Sequence, residues 1–359
     1  MQTIVQIVQH LRPGGIETMA LDLHGYFTAQ GHASWIISLE GEHAAALSAW
    51  PRLRQYADRI VFLDKPDRLS PAFVLRLAAQ LRRVGATSVH THHIGPLLYG
   101  GLARPLAGVR SLVHTEHDAW HLECPRRRRL QKWLLRLLRP VLVADAEDVG
   151  KVLRDLFDPR DLRVIRNGID TKRFTPGDRD AARQRLGLPT DVRLVGCAGR
   201  LEAVKGQAYL IRALARLPAD VHLALAGHGS EELELREASD ALGLAQRVHF
   251  LGRIDDMPGF YRALDCFCQP SLREGMPLAP LEAQACGAPA IVSDVGGSRE
   301  CLCPHSGILI PPGDVDAIVA AVTDALATAP ARSPRDFVCD HGDRDAMAQA
   351  YSALHLAHA

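Results

Sequence analysis

The chain has 359 residues, 47% of them hydrophobic and 23% charged, which excludes a mainly disordered or fibrous protein and by length implies two domains. Its 42 basic and 41 acidic residues leave a formal charge of +1, so no global field recruits nucleic acid. No run approaches about 18 uncharged apolar residues. The opening MQTIVQIVQHLRPGG lacks a basic leader and a cleavage pattern, so neither a membrane span nor a signal peptide is expected and the chain reads as cytoplasmic. Its eight cysteines include no CxxC pair and read as free, mostly buried thiols.

Apolar runs alternate with helical patterns along the whole chain. Strands are predicted at Thr3–Val8, Trp35–Leu39, Ile60–Leu63, Ser88–Thr91, Ser111–Thr115, Val141–Ala144 and Leu162–Ile165, with helices such as Ile16–Ala29, Pro71–Arg83 and Ala146–Phe157 between them. A polar, turn-rich stretch from Asn167 to Asp178 interrupts the rhythm. It resumes with strands Arg193–Ala198, Val221–Ala226, His249–Leu251, Cys266–Gln269, Ala290–Ser293 and Gly307–Ile310. The intervening helices are Gly206–Arg216, Ser230–Leu242, a short one near Gly259–Leu264, Pro277–Cys286 and Val315–Ala327. The pattern predicts an α/β chain of two Rossmann-like domains, 1–170 and 171–335, facing each other across a cleft, with ligands at the carboxyl ends of the strands. A further helical segment within 336–359 follows a linker containing Pro330 and Pro334; its pattern assigns it to neither domain, and a crossing back to the first is the reading carried forward.

The segment Arg273-Glu274-Gly275-Met276-Pro277-Leu278-Ala279-Pro280-Leu281-Glu282 combines three features useful for a phosphorylated sugar. A helix expected to begin near Pro277 presents the amides of Gly275–Leu278 to an anion, while Glu274 before it and Glu282 inside it offer carboxylates to hydroxyl pairs. Arg200 and Lys205, at the end of another strand, can offset a leaving diphosphate without a metal. Lys205 at a helix start opposes the dipole, which argues for such a role. Gly14-Gly15 after the first strand lets the backbone approach a ligand closely. Neither that pair nor Gly227-His228-Gly229 is a G-x-G-x-x-G fingerprint, so a nicotinamide cofactor is not expected. His90, His92, His93, His114, His117 and His121 gather near two strand ends, but no acidic ligand pair joins them at regular spacing, so no metal is expected. His90 and His92 share one strand face and are read as acceptor-side residues.

The Glu274–Glu282 segment resembles the Glu-x7-Glu signature of retaining GT-B glycosyltransferases, specifically glycosyltransferase family 4. Gly199-Arg200-Leu201 with Lys205-Gly206 is similar to the family's GRL…KG element, Gly14-Gly15-Ile16-Glu17 to its glycine loop, and Thr115-Glu116-His117-Asp118 to its T-x-H element. Val248–Arg253 followed by Phe260-Tyr261 resembles the nucleotide-base segment, and Val164–Asp170 the V-I-P-N-G-V-D element, with Arg166 in place of the usual Pro. The resemblance covers essentially the whole chain and is most specific in its second half. It implies a GT-B fold and retaining, metal-independent transfer of a hexose or N-acetylhexosamine from a nucleotide-sugar, UDP-linked by preference, to a hydroxyl of a glycan or lipid-linked acceptor in cell-surface polysaccharide or glycolipid synthesis. It further implies donor binding by Gly14, Gly15, Arg200, Lys205, Phe250, Arg253, Glu274, Gly275, Met276, Pro277, Leu278 and Glu282, catalysis by His117, Glu274, Arg200 and Lys205, and a place for His117 beside His90 and His92 on the acceptor side. No cofactor is implied beyond the donor substrate. Asp314/Asp316 and Asp343/Asp345 lie at helix starts or in loops, which argues against a metal-dependent GT-A site.

A GT-B epimerase and a non-catalytic sugar- or lipid-binding module are the alternative readings; the paired Glu274/Glu282 and Arg200/Lys205 weigh against both. The stretch Arg126–Arg139 is basic and amphipathic. It reads first as a helix packing Leu130, Trp133, Leu134, Leu137 and Leu138 inward, and second as peripheral contact with an anionic membrane through its arginines.

Overall fold

The structure, a computed structural model, describes residues 1–328 and 332–357; Pro330 of the expected linker lies outside them. The chain divides into two compact units, Met1–Asn167 with the C-terminal segment from Asp345, and Gly168–Arg344. Each is a Rossmann-like α/β unit built on a parallel sheet.

The first unit carries β1 (Thr3–Val8), β2 (Ala33–Ser38), β3 (Ile60–Phe62), β4 (Ser88–His92), β5 (Ser111–Glu116), β6 (Val141–Ala144) and β7 (Leu162–Val164), in the order β3-β2-β1-β4-β5-β6-β7. β1 is rich in β-branched residues, and Ile4, Val5, Ile7 and Val8 are fully buried, as expected for a strand covered on both faces. On one face Val5 and Ile7 pack with Phe73, Leu77 and Leu97. On the other, Ile4 meets Met19, Leu23 and Phe27 together with Met347, Ala348 and Tyr351 of the C-terminal helix Arg344–Ala357. Gln6 is also fully buried, a polar residue whose partner must be sought nearby.

The second unit carries β8 (Arg193–Ala198), β9 (Val221–Ala226), β10 (Val248–Gly252), β11 (Cys266–Gln269), β12 (Ala290–Ser293) and β13 (Ile308–Ile310), in the order β10-β9-β8-β11-β12-β13. Both sheets therefore start at a central strand, build outward to one edge and then restart on the other side. That reversal creates a crevice at the carboxyl ends of β1 and β4, and of β8 and β11, where doubly wound sheets bind ligands.

Three expectations change. Helix Pro334–His341 packs on helix Ala279–Ala285 in the second unit, and Arg335 donates to the carbonyls of Phe174 (2.6 Å), Ala285 and Thr171 (both 2.9 Å). The segment carried by the first unit thus begins at Asp345, not at residue 336. Helix Ala279–Ala285 starts two residues later than Pro277, because Pro280 takes the first-turn position. In helix Pro125–Leu138, Leu134 and Leu138 are buried, but Leu130, Trp133 and Leu137 are 38%, 52% and 53% exposed, so the expected apolar stripe is only half packed. Six of the eight cysteines are buried and all eight are free thiols.

Candidate functional site

In the second unit the chain leaves β8 through Gly199 at φ +143°, passes Arg200 and Lys205, and enters helix Gln207–Leu214 through Gly206 at φ +70°. A Cβ on Gly206 would lie 2.1 Å from the carbonyl oxygen of Pro270, which follows β11, so only glycine lets the two loops approach this closely. Leu272 N donates to Val204 O at 2.8 Å and ties them together. The β11 loop is held from its other side: Gly297 N donates to Gly275 O at 2.8 Å, and a Cβ on Gly296 would lie 2.0 Å from Glu274 O.

This stitching brings Lys205 to Glu274. Oε1 of Glu274 accepts from Lys205 Nζ (2.7 Å), Gln269 Nε2 (2.6 Å) and Ser271 Oγ (2.7 Å), and its side chain is 7% exposed. Arg200, with a side chain 62% exposed, pairs with Glu202 at 2.6 Å. Both cations therefore carry a carboxylate partner in this structure and stand at the switch point between β8 and β11. Gly275, Met276, Pro277 and Leu278 form the turn before the helix, with Leu278 as its N-cap. Glu282 is the fourth helical residue and lies in the first turn, nearer the helix start than the sequence suggested. Its Oε2 accepts from Tyr261 Oη at 2.7 Å. Burial, with Glu282 beside it, pushes the Tyr261 hydroxyl well above its usual range, so it stays a donor. Phe250 is half-buried on β10 with the Arg236 guanidinium 4.2 Å over its ring, where the strand register shifts, and Arg253 is exposed just beyond.

Gly14, Gly15 and the histidines belong to the first unit. Gly14 has extended backbone, and a Cβ there would lie 2.4 Å from the Glu17 carboxylate, which also faces His10 Nδ1 at 3.1 Å. A hydrogen-bonded chain crosses the carboxyl ends of the central strands. Gln6 Oε1 accepts from His92 Nε2 (2.8 Å), which leaves His92 Nδ1 to accept from His117 Nε2 (2.9 Å). His117 Nδ1 then faces Asp145 Oδ2 at 3.4 Å, an oxygen that also accepts from Asn167 Nδ2 at 3.0 Å. Burial raises the Asp145 carboxyl above its usual range.

His90 and His92, expected on the acceptor side, are both buried. They are 0% and 1% exposed; His90 bonds Thr115 Oγ1 at 2.8 Å and lies against Tyr351 and His355 of the C-terminal helix. His117, at 6% exposed, is the member of this chain nearest the surface after Asn167 at 7%. The sequence shows no acidic ligand pair at regular spacing, yet two acidic residues meet the histidines in space. Glu116 and Asp118 stand among His93, His114 and His121, with Glu116 Oε1 accepting from His114 Nε2 at 2.7 Å and from Gln131 Nε2. Burial opposes ionisation of Glu116, yet His114, His121 and His93 hold its carboxyl down at about 2. Gln6, Asp145, Gln131 and Tyr351 were not singled out from the sequence. A polar residue inside the all-apolar β1 run was the signal for Gln6.

Comparison with known proteins follows this geometry. The family described as "Glycosyltransferase Family 4" matches residues 13–173, and "Glycosyl transferases group 1" matches residues 178–337. The chain is 34% identical over 319 residues to a D-inositol 3-phosphate glycosyltransferase of Mycolicibacterium smegmatis, covering 81% of this chain and 72% of that protein. It is 33% identical to an Escherichia coli UDP-Gal:alpha-D-GlcNAc-diphosphoundecaprenol alpha-1,3-galactosyltransferase over 65% of each. Three other relatives are spanned over only 46% to 63% of their own length. The crystal structure of Anabaena HepE in complex with UDP and glucose superimposes with a TM-score of 0.85 at 22% identity, covering 98% of this chain and 99% of that one, which establishes the shared fold. With two Rossmann-like units in sequence and a family match on each, the chain belongs to the family 4, group 1 glycosyltransferases of GT-B fold.

Proposed function

We propose that this glycosyltransferase moves a hexose or N-acetylhexosamine, with retention of anomeric configuration and without a metal at the diphosphate, from a UDP-linked donor to a hydroxyl of a glycan or lipid-linked acceptor. The observation that carries the reading is the Lys205–Glu274 contact at the β8/β11 switch point, with the Gly275–Leu278 turn beside it. Lys205 and Arg200 exchange their carboxylate partners for the donor diphosphate, and the turn amides add donors to the same anion. Phe250 and Arg253 flank the nucleotide base and Glu282 takes the ribose hydroxyls. Glu274 orients the hydroxyls of the transferring sugar.

In the reaction the acceptor oxygen forms a bond to the anomeric carbon while the bond from that carbon to the phosphate oxygen breaks. The acceptor proton passes to the departing phosphate oxygen. Lys205, Arg200 and the amides stabilise the diphosphate charge as it develops. Glu274 keeps Gln269 and Ser271 as donors to Oε1 after Lys205 turns to the diphosphate, which suits a carboxylate that orients hydroxyls. In the first unit His117, oriented by His92 and Asp145, is the assigned positioning residue, and Gly14-Gly15 allow close backbone approach to a ligand. Support for a UDP donor and a lipid-linked acceptor comes from relatives and fold neighbours named with them. The test is transfer or slow hydrolysis of UDP-sugars with the anomer read by NMR. UDP release with a retained anomer is expected; inversion, or epimerised donor without UDP release, overturns the reading.

The same proposal includes peripheral docking on an anionic cytoplasmic leaflet. Helix Pro125–Leu138 places exposed Arg126–Arg129 at the end where its dipole opposes them, next to exposed Leu130, Trp133 and Leu137. No described helix is long and apolar enough to cross a membrane. Flotation with phosphatidylglycerol vesicles is expected for the protein and lost on replacing the four arginines with glutamate; equal flotation of both overturns docking.

A further inference from the structure

The first unit holds a second constellation outside the His92–His117–Asp145 chain. Nε2 of His93 lies 3.5 Å from Asp118 Oδ2, and Nδ1 of His121 lies 3.3 Å from Asp118 Oδ1. The three residues can each bring one ligand atom within 4.8 Å of the others. The two contacts reach different oxygens of Asp118, so its carboxylate faces both rings, and each separation is near the edge of about 3.3–3.4 Å of a tetrahedron with metal–ligand bonds of about 2.0–2.1 Å.

A separate observation points to an ion. Glu116 is fully buried, and its Oε2 has no hydrogen-bond partner; the same is true of His121 Nε2. That oxygen faces the other nitrogen of both rings, His121 Nε2 at 3.7 Å and His93 Nδ1 at 3.9 Å. These are too long for hydrogen bonds and short enough to become so with small ring rotations. Each imidazole thus lies between Asp118 on one side and a buried carboxylate on the other, the arrangement by which carboxylates fix the tautomer of metal-bound histidines.

We propose that His93, Asp118 and His121 ligate a divalent transition-metal ion, zinc in the first instance, with Glu116 orienting both imidazoles from behind. Nitrogen and oxygen ligands in this number suit zinc and leave a fourth position for water or an alcohol. The side chain of His93 is 28% exposed, which gives the ion a route in from solvent. His93 itself has φ +70° and ψ 168° at the start of helix Ile94–Leu106, a conformation that glycine adopts easily and histidine does not, so the backbone is held where its ring reaches Asp118. The site is built wholly from residues of the first unit and does not depend on the reaction assigned to the second.

The test uses tag-free protein stripped with EDTA and titrated with Zn2+, Mn2+ and Co2+, read by elemental analysis after desalting, by calorimetry and by the visible spectrum of the Co2+ form. One equivalent of zinc per chain and a raised melting temperature are expected. His93→Ala, at the partly exposed position, and the near-isosteric Asp118→Asn should abolish uptake while circular dichroism stays native. Glu116→Gln should keep the stoichiometry and weaken affinity about 10- to 100-fold. No stoichiometric uptake by the wild-type chain, or equal uptake by His93→Ala, overturns the site. Should Glu116→Gln not fold, the first two variants and the wild type still decide the matter.

Discussion

The two sheets share one strand order and place their polar residues at the same point of it, yet they use that point in opposite electrostatic ways. In the second unit the residues after β8 and β11 are charged, partly exposed and paired as Lys205–Glu274 and Arg200–Glu202. The exposed Arg200–Glu202 pair is weakly held, and Glu274 keeps Gln269 and Ser271 as donors when Lys205 turns to a phosphate. In the first unit the carboxyl ends of β4 and β5 bring two buried imidazoles, His92 and His117, into the chain Gln6–His92–His117–Asp145. Burial keeps His92 neutral by lowering its pKa well below the ordinary value. One topology thus supports a replaceable charge cluster and a fixed neutral network. The first suits a ligand that brings its own charge, and the second suits positioning.

The largest expected break in this contrast is Lys205→Ala. Losing a cation to the leaving diphosphate should lower kcat by about 10²–10³. Gln269 and Ser271 still donate to Glu274, so circular dichroism should remain native. Wild-type turnover in this variant contradicts the donor assignment. Next, Glu274→Gln should lower kcat by about 10- to 100-fold, because its hydrogen bonds strengthen as the sugar ring reacts. Glu282→Gln should act mainly on the donor KM, by about tenfold, since a ribose contact serves ground and transition states alike. Exchanged effects would remove the distinction between the two carboxylates.

Acidification separates the units. Burial lowers the imidazoles of His90 and His92 well below 6.5, with neighbouring histidines adding to it, and lowers His24 to about 4 and His355 to about 3. The unfolded chain protonates these histidines below 6.5 and the folded one does not, so each costs about 1.4 kcal/mol of stability per pH unit as pH falls from there. Glu116, held at about 2, adds to the loss below 4.5, whereas His121 and Asp145, both raised, oppose it. In the second unit His222 and His249 are lowered by partial burial, a smaller counterpart. Hydrogen exchange between pH 7 and 5 should show β4 and β5 losing protection before β8 and β11; the reverse order contradicts the account. The smallest expected effect is that of chelation on nucleotide binding. UDP affinity measured by calorimetry should be the same with and without EDTA, because cations and amides of the second unit hold the diphosphate; a Mg2+ requirement contradicts this.

Much of the second unit was legible in sequence because its determinants are local. The β-branched runs, the glycines around Arg200 and Lys205, and the Glu274–Glu282 spacing all act within a loop and its flanking elements. Even there, two prolines competed for one helix start, and Pro280 took the position that Pro277 was expected to fill. The first unit was less legible because its histidines are decided by distant partners. His90 is covered by Tyr351 and His355 from the C-terminal helix, and Ser88 bonds His355 across 267 residues. Strand alternation put His90 and His92 on one face correctly, but which face the last helix would seal cannot be read from periodicity. His93 was beyond pattern altogether, since its positive φ breaks the alternation on which the reading relied.

The central claim is that the β8/β11 switch point of the second unit is the donor diphosphate site, and a crystal structure with UDP, or with GDP if UDP does not bind, tests it most directly. The account predicts the diphosphate against the Gly275–Leu278 turn, within hydrogen-bond reach of Lys205 Nζ and the Arg200 guanidinium, with the ribose at Glu282. A nucleotide bound elsewhere, with the Lys205–Glu274 and Arg200–Glu202 pairs intact, would contradict it.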